Sequence, residues 1–167
     1  MIEKVLRAHV ASDDREEADR VAMLRLLAEL EEPTSRHQAR AHFTASALVV
    51  DELCTRVCLV EHAKLGRLLQ PGGHVEPTDV SLEAAALREA LEETQLELDF
   101  HPVAPRPFDL DIHRIPERPG EPAHFHLDVR YLLVGRGDPC EGAAWHAFGA
   151  GGDGSVARLA AKAATYR

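Results

Sequence analysis

The chain has 167 residues, a length that suits one domain, with 45% hydrophobic and 28% charged residues. That balance supports a packed core and excludes a largely disordered chain. The formal net charge of −9 argues against a nucleic-acid polymer as partner, because a backbone binder presents a basic face; a small anionic ligand stays open, since a bound cation inverts the local field.

The first residues, MIEKVLRAHV, carry charges throughout and lack the apolar h-region of a signal peptide. No apolar run approaches the ~20 residues of a membrane span, so a cytoplasmic location is expected. Ser12 to Glu31 predicts a helix, with Ser12 or Asp13 as N-cap and Val21, Leu24, Leu27 and Ala28 as its apolar stripe; Pro33 ends it. It reads as a packing or dimerisation helix, leaving a homodimer open. Phe43 to Val50 and Thr55 to His62 predict a β-hairpin around Asp51 and Glu52. Cys54 and Cys58 are four apart in an apolar run and read as small core residues. With Cys140 they make an odd set without zinc-type pairing, which fits a reducing compartment. Arg67 to Gly73 predicts a short strand running into a Pro-Gly-Gly turn.

Val80 to Glu93 predicts a helix, and Leu96 to Phe100 a strand. Residues 101–123 hold six of the ten prolines and predict a long loop, with a short strand near Leu110 to His113; loops of that length are often functional. His124 to Gly135 predicts a strand and Trp145 to Phe148 a last short one. Gly149 to Gly154 predicts a turn, and Ser155 the cap of a final helix to about Thr165. Strands flanking a central helix predict a mixed α/β fold.

The helix over residues 80–93 has an unusual end. Stepping about 100° per residue places Glu89, Glu92 and Glu93 on one face, with Ala84, Leu87, Ala90 and Leu91 on the opposite arc. Each like-charge pair costs about 0.2–0.5 kcal/mol, and the helix dipole adds a few tenths per carboxylate. Arg88 offsets part of this through Glu92 at i,i+4. A solvated acidic face would carry such a cost. The Gly72-Gly73 pair ahead of the helix suggests another reading, because glycine permits close backbone approach. A Gly73 carbonyl and the carboxylates would suit a hard divalent ion such as Mg²⁺ or Mn²⁺.

Gly73 to Leu96 resembles the Nudix box: a glycine, five residues, an acid, seven residues, then Arg-Glu-apolar-x-Glu-Glu-x-Gly-apolar. Gly73 matches the glycine, Arg88-Glu89-Ala90-Leu91-Glu92-Glu93 the core, and Leu96 the last apolar position. The first acid is Asp79, with one extra residue before Arg88; Asp79 is alternatively a helix cap near Ser81. The late glycine, which ends the helix in a left-handed conformation, is Gln95. The resemblance implies an α/β/α sandwich with a mixed sheet and an extra N-terminal helix, divided into a helical segment of residues 1–34 packed on a Nudix domain of residues 35–167. It implies a metal-dependent pyrophosphohydrolase acting on a nucleoside diphosphate linked to another group. Glu89, Glu92, Glu93 and the Gly73 carbonyl would hold Mg²⁺ or Mn²⁺, and Arg88 would orient the carboxylates. Glu89 or Glu141 would be the general base. A non-catalytic nucleotide-binding module and an isoprenoid diphosphate isomerase are the alternatives within the fold.

Other residues invite substrate contact. His124, His126, Asp128 and Arg130 alternate along one strand face, which could bind zinc, make ordinary hydrogen bonds or line a substrate cleft with Arg130 as a cation for phosphate. His113, Arg114 and Arg118 either clamp a ligand or are solvated. Phe108 and Trp145 either stack on a base or belong to the core. His62, Lys64 and His74 flank the glycine pair.

Overall fold

The computed structural model describes residues 1–62, 66–149 and 154–166. Lys64 and residues 150–153 of the predicted glycine-rich turn lie outside the described residues. In chain order the elements are α1 (Ile2–Ala8), α2 (Asp14–Glu29), β1 (Ala41–Asp51), β2 (Arg56–His62), β3 (Arg67–Leu69), β4 (Gly72–His74), α3 (Leu82–Thr94), β5 (Glu97–Phe100), β6 (Asp109–Ile115), β7 (His124–Arg136), β8 (Ala143–Ala147) and α4 (Gly154–Ala163). The strands form one mixed sheet. β1 runs parallel to β7 from Ala41↔Phe125 to Asp51↔Gly135, and the other pairings are antiparallel. β4 and β6 flank one end of this central pair, and β2 and β5 flank the other.

Successive side chains of a strand point to opposite faces, so β1 serves two cores. Ala41, Phe43 and Ala45 pack with Leu127 and Val129 beneath α1, α2 and α3. Leu48 and Val50 pack with Leu132 against Val156, Leu159 and Ala160 of α4. Helices on both faces of a mixed sheet give the expected α/β/α sandwich. Among the described residues, no helix is long and apolar enough to cross a membrane.

The predicted hairpin forms, with Val49 opposite Cys58 and Val50 opposite Val57. Four readings need correction. The Pro-Gly-Gly turn is a strand: Gly72 and Gly73 pair with Ser46 and Ala45 of β1. The strand inside the proline-rich loop extends over Asp109–Ile115, because β7 supplies seven partners for it. Ser155 lies inside α4, which starts at Gly154.

The fourth correction concerns α2. Asp13 is its N-cap, accepting from Glu16 N–H. The fully buried residues are Glu16, Met23 and Leu26; of the predicted stripe, Leu24 and Leu27 pack half-buried against the same core, whereas Val21 is 54% exposed and Ala28 is exposed. The apolar period misleads because the buried face begins with a carboxylate. Lys162 Nζ donates to Glu16 at 2.8 Å, and His9 Nε2 lies 2.7 Å from it. Glu16 and Asp19 also accept from the Leu110 and Ile112 N–H groups of β6, at 3.2 and 3.3 Å. α2 thereby covers backbone donors that an edge strand would otherwise leave open.

Candidate active site

Ser81 caps α3 by accepting from Ala84 N–H at 3.0 Å. Asp79 is not the cap. Its carboxylate takes a fork from Arg88, with Nε to Oδ1 at 3.0 Å and Nη2 to Oδ2 at 2.9 Å. The residues before it form a turn in which Asp79 N–H donates to Glu76 O and Glu76 N–H to Asp79 Oδ2; this turn takes up the extra residue. Arg88 also donates to the His74 carbonyl at 3.0 Å, to Glu89 at 3.0 Å and to Glu92 at 3.3 Å. One guanidinium therefore locks the loop to the helix. At the other end Gln95 keeps the left-handed geometry, φ 55° and ψ 23°.

The three carboxylates share one side of α3, but that side is not opposite the core. Leu82, Ala85, Ala86, Ala90 and Thr94 are buried, and stepping around the helix puts Glu89 and Glu93 among them. Leu91, expected inside, is 42% exposed. The carboxylates face the sheet because β4 offers glycines there. A Cβ on Gly73 would sit 2.6 Å from Glu89 Oε1, and one on Gly72 would sit 2.2 Å from Ser46 Cβ. Gly72 N–H donates to Glu93 Oε2 at 3.0 Å. Burial pushes both the Glu89 and Glu93 carboxyls above their usual range. The Glu92 side chain is 59% exposed. The carboxylates do not close into a cage: each has a protein partner, and the one convergent group of potential metal ligands among the described residues is His42, His124 and His126.

On the other side of the sheet a cleft of about 670 Å³ is lined by Gly72, Gly73 and His74 together with His126, Asp128, Arg130 and Arg114. Its floor follows from strand register. β1, β7 and β6 stack polar residues in three rows: His42, His126 and His113; then Thr44, Asp128 and Asp111; then Ser46, Arg130 and Asp109. Thr44 and Ser46 hydroxyls donate to Asp128 at 3.0 and 2.7 Å.

Arg130 is 1% exposed and bonded to Asp128, Asp111 and Asp109 at 2.9, 2.9 and 3.4 Å. Arg15 and Arg158 complete Asp111, each at 2.6 Å, and Lys162 reaches Asp109 at 3.1 Å. This corrects the expected role of Arg130 as a cation for phosphate: its charge is already matched. Among the described residues, Arg36, Arg67, Arg114 and Arg118 line the same cleft and none forms a salt bridge with a carboxylate there.

Glu141 is exposed in the turn before β8. Its neighbour Cys140 touches the end of α3, donating N–H to Thr94 O at 3.0 Å, so Glu141 lies near the helix terminus and outside the cleft lining. Phe108 is core, and the Trp145 indole donates to Gly137 O at 3.1 Å. His42, Asp109 and Asp111 are absent from the sequence-based candidates. The alternation of His42, Thr44 and Ser46 between apolar residues was the available sign of a polar face.

Among curated proteins, none matches this sequence. Solved structures do. A Nudix hydrolase from Clostridium perfringens superposes with TM-score 0.56 at 23% identity, over 75% of this chain and 97% of that one. An Ap4A hydrolase binary complex from C. elegans gives 0.52 at 16% identity, over 74% and 96%. A UDP-X diphosphatase gives 0.53 at 15% identity, over 99% of this chain and 92% of its own. These likenesses share the fold, and the sequence itself matches the NUDIX domain over residues 40–148. With that match spanning the sheet, the Arg88-Glu89 and Glu92-Glu93 pairs and the glycine strand beside them, the chain belongs to the Nudix hydrolase family.

Proposed function

We propose that this Nudix hydrolase cleaves the diphosphate of a nucleoside diphosphate linked to a second group, using Mg²⁺ or Mn²⁺ held by Glu89, Glu92, Glu93 and the Gly73 carbonyl. The observation that carries the reading is the Gly72-Gly73 strand. It receives Glu93 and Glu89 from α3 and also lines the cleft, so the carboxylates and the ligand space meet across two residues without side chains. The donor set fits a hard divalent ion: three carboxylates on one helix side, two of them raised by burial. When bound, the ion supplies charge neutralisation for phosphate oxygens and acidifies water.

The protein's own groups do the rest. Arg88 holds the Glu89 carboxylate through Oε1 and leaves Oε2 to accept a proton from the attacking water. A carboxyl raised by burial suits that task, and we assign the base to Glu89 before the exposed Glu141. Water adds to one phosphorus, the bridging P–O bond breaks, and the proton ends on the carboxylate or leaving phosphate. Arg36, Arg67, Arg114 and Arg118 are the cationic wall for the substrate's phosphates, and His74 and His126 contact the remainder. Residues 1–34 act as a helical segment packed on the catalytic domain of residues 35–167. The UDP-X diphosphatase likeness takes in nearly the whole chain, N-terminal helices included, so UDP-linked compounds belong in the panel of substrates.

The test is a panel of nucleotide sugars, dinucleoside polyphosphates and (deoxy)nucleoside triphosphates with Mg²⁺ or Mn²⁺, with products identified by mass spectrometry. Metal-dependent release of a nucleoside monophosphate from a panel member is expected. Tight nucleotide binding without turnover on any member would overturn the reading.

A further inference from the structure

Five histidine rings gather at one end of the sheet, and three of them, His42, His113 and His124, have no part in the proposed hydrolytic site. The His42 ring stacks on His124 and is tilted to His74, with centroids 5.0 Å from each, and lies 4.8 Å from His126. His113 and His74 each sit 5.4 Å from His126. The sheet builds this directly: His42 is the register partner of His126, His126 that of His113, and His74 joins through β4 beside Thr44.

We propose that His42, His124 and His126 form a binding site for a borderline divalent transition metal, Zn²⁺ in the first place, separate from the carboxylate site. One nitrogen from each of the three rings lies within 4.8 Å of the others. His42 is 0% exposed, and neither of its ring nitrogens has a hydrogen-bond partner of normal geometry. The Gln38 backbone makes a hydrogen-bond contact with this ring, and a buried ring nitrogen left over is costly unless a ligand or ordered water fills it. His124 Nδ1 lies 2.9 Å from Pro122 O. A carbonyl only accepts, so Nδ1 carries the proton and Nε2 keeps its lone pair, and Nε2 is buried without a partner. Fixing the far nitrogen on a backbone carbonyl is how proteins aim a metal-binding imidazole.

The donor set selects the metal. Three imidazoles suit zinc, copper, nickel or iron, whereas Mg²⁺ demands oxygen. Asp128, the third member of the alternating row, is not a ligand: its oxygens accept from Thr44, Ser46 and Arg130. His74 is the nearest candidate for a fourth ligand, and Glu121 Oε1, 3.8 Å from His124 Nε2, supplies neighbouring negative charge. His74 and His126 also line the cleft, so the ion would stand at its wall, pinning β1 to β7.

The experiment strips the full chain with a chelator and titrates it with Zn²⁺ by calorimetry and with Co²⁺ as a spectroscopic probe. With excess Mg²⁺ present to occupy the carboxylate site, wild type should bind one Zn²⁺ per chain and give the intense visible bands of tetrahedral Co²⁺. His42→Gln, His124→Gln and His126→Gln should each weaken Zn²⁺ binding about 100-fold or more, while Glu93→Gln leaves it unchanged. Metal-free circular dichroism checks folding; if His42→Gln does not fold, His124→Gln and His126→Gln decide. The proposal is overturned if Co²⁺ stays six-coordinate, if the histidine variants bind as wild type does, or if Glu93→Gln abolishes the binding.

Discussion

Gly73→Ala should separate the catalytic site from the fold. The new Cβ would lie 2.6 Å from Glu89 Oε1, 2.7 Å from Cδ and 2.8 Å from Oε2, where ordinary contact begins at 3.4 Å. Gly73 does not hold a positive φ, so its backbone accepts alanine. The atoms in the way are the end of a flexible side chain, and the Glu89 carboxylate must retreat by about 0.8 Å. A rotamer adjustment of that kind costs about 1 kcal/mol, a change of roughly 2–4 °C in Tm. A shift approaching 1 Å at a reacting group costs up to about 100-fold in rate. Gly72→Ala is the control: its Cβ would meet Ser46 Cβ at 2.2 Å and the Ser46 Cα at 2.6 Å, where backbone must move, at about 3 kcal/mol or more. The assays are thermal unfolding and Mn²⁺ titration followed by electron paramagnetic resonance. Gly73→Ala should melt near wild type and bind Mn²⁺ at least about tenfold more weakly. Unchanged Mn²⁺ affinity, or a loss of stability as large as that of Gly72→Ala, would refute the placement of Glu89 against this glycine.

Two further outcomes concern stability. Gln95 holds φ 55°, so Gln95→Gly should stabilise the protein by about 1 kcal/mol, read as a rise of roughly 2–4 °C in Tm; no rise would mean the helix ends otherwise in solution. Burial pushes the Glu16 carboxyl up, but His9, Lys162 and Ser12 together hold it well below its ordinary 4.5. A depressed folded value gives stability that is present above pH 4.5 and lost as pH falls below it. Lys162→Met should therefore cost about 3 kcal/mol at pH 7, and the gap to wild type in urea midpoint should narrow below about pH 4.5; a gap independent of pH would contradict the pairing.

The parts of the site that lie close together in sequence were legible. Arg88, Glu89, Glu92 and Glu93 occupy one helix, and helical geometry alone puts the carboxylates on one side. Which side meets the sheet was not legible. Carboxylates usually mark the solvent face, and here two glycines on a neighbouring strand reverse that preference. The same holds for Glu16, whose buried position depends on Lys162 from the far end of the chain. Arg130 could be placed on a strand face from alternation alone, but its three aspartate partners come through the pairing of β6 with β7, which no local pattern announces. The histidine cluster needs four strands to be in register before it exists.

The central claim is that Glu93 belongs to a metal-dependent hydrolytic site, and Glu93→Gln tests it most directly. The amide oxygen can still accept from Gly72 N–H, so packing is retained while a metal-binding charge is removed. On the best substrate of the panel, with saturating Mg²⁺ or Mn²⁺, kcat/KM should fall by more than about tenfold with Tm unchanged. Equal turnover at equal stability would contradict the account.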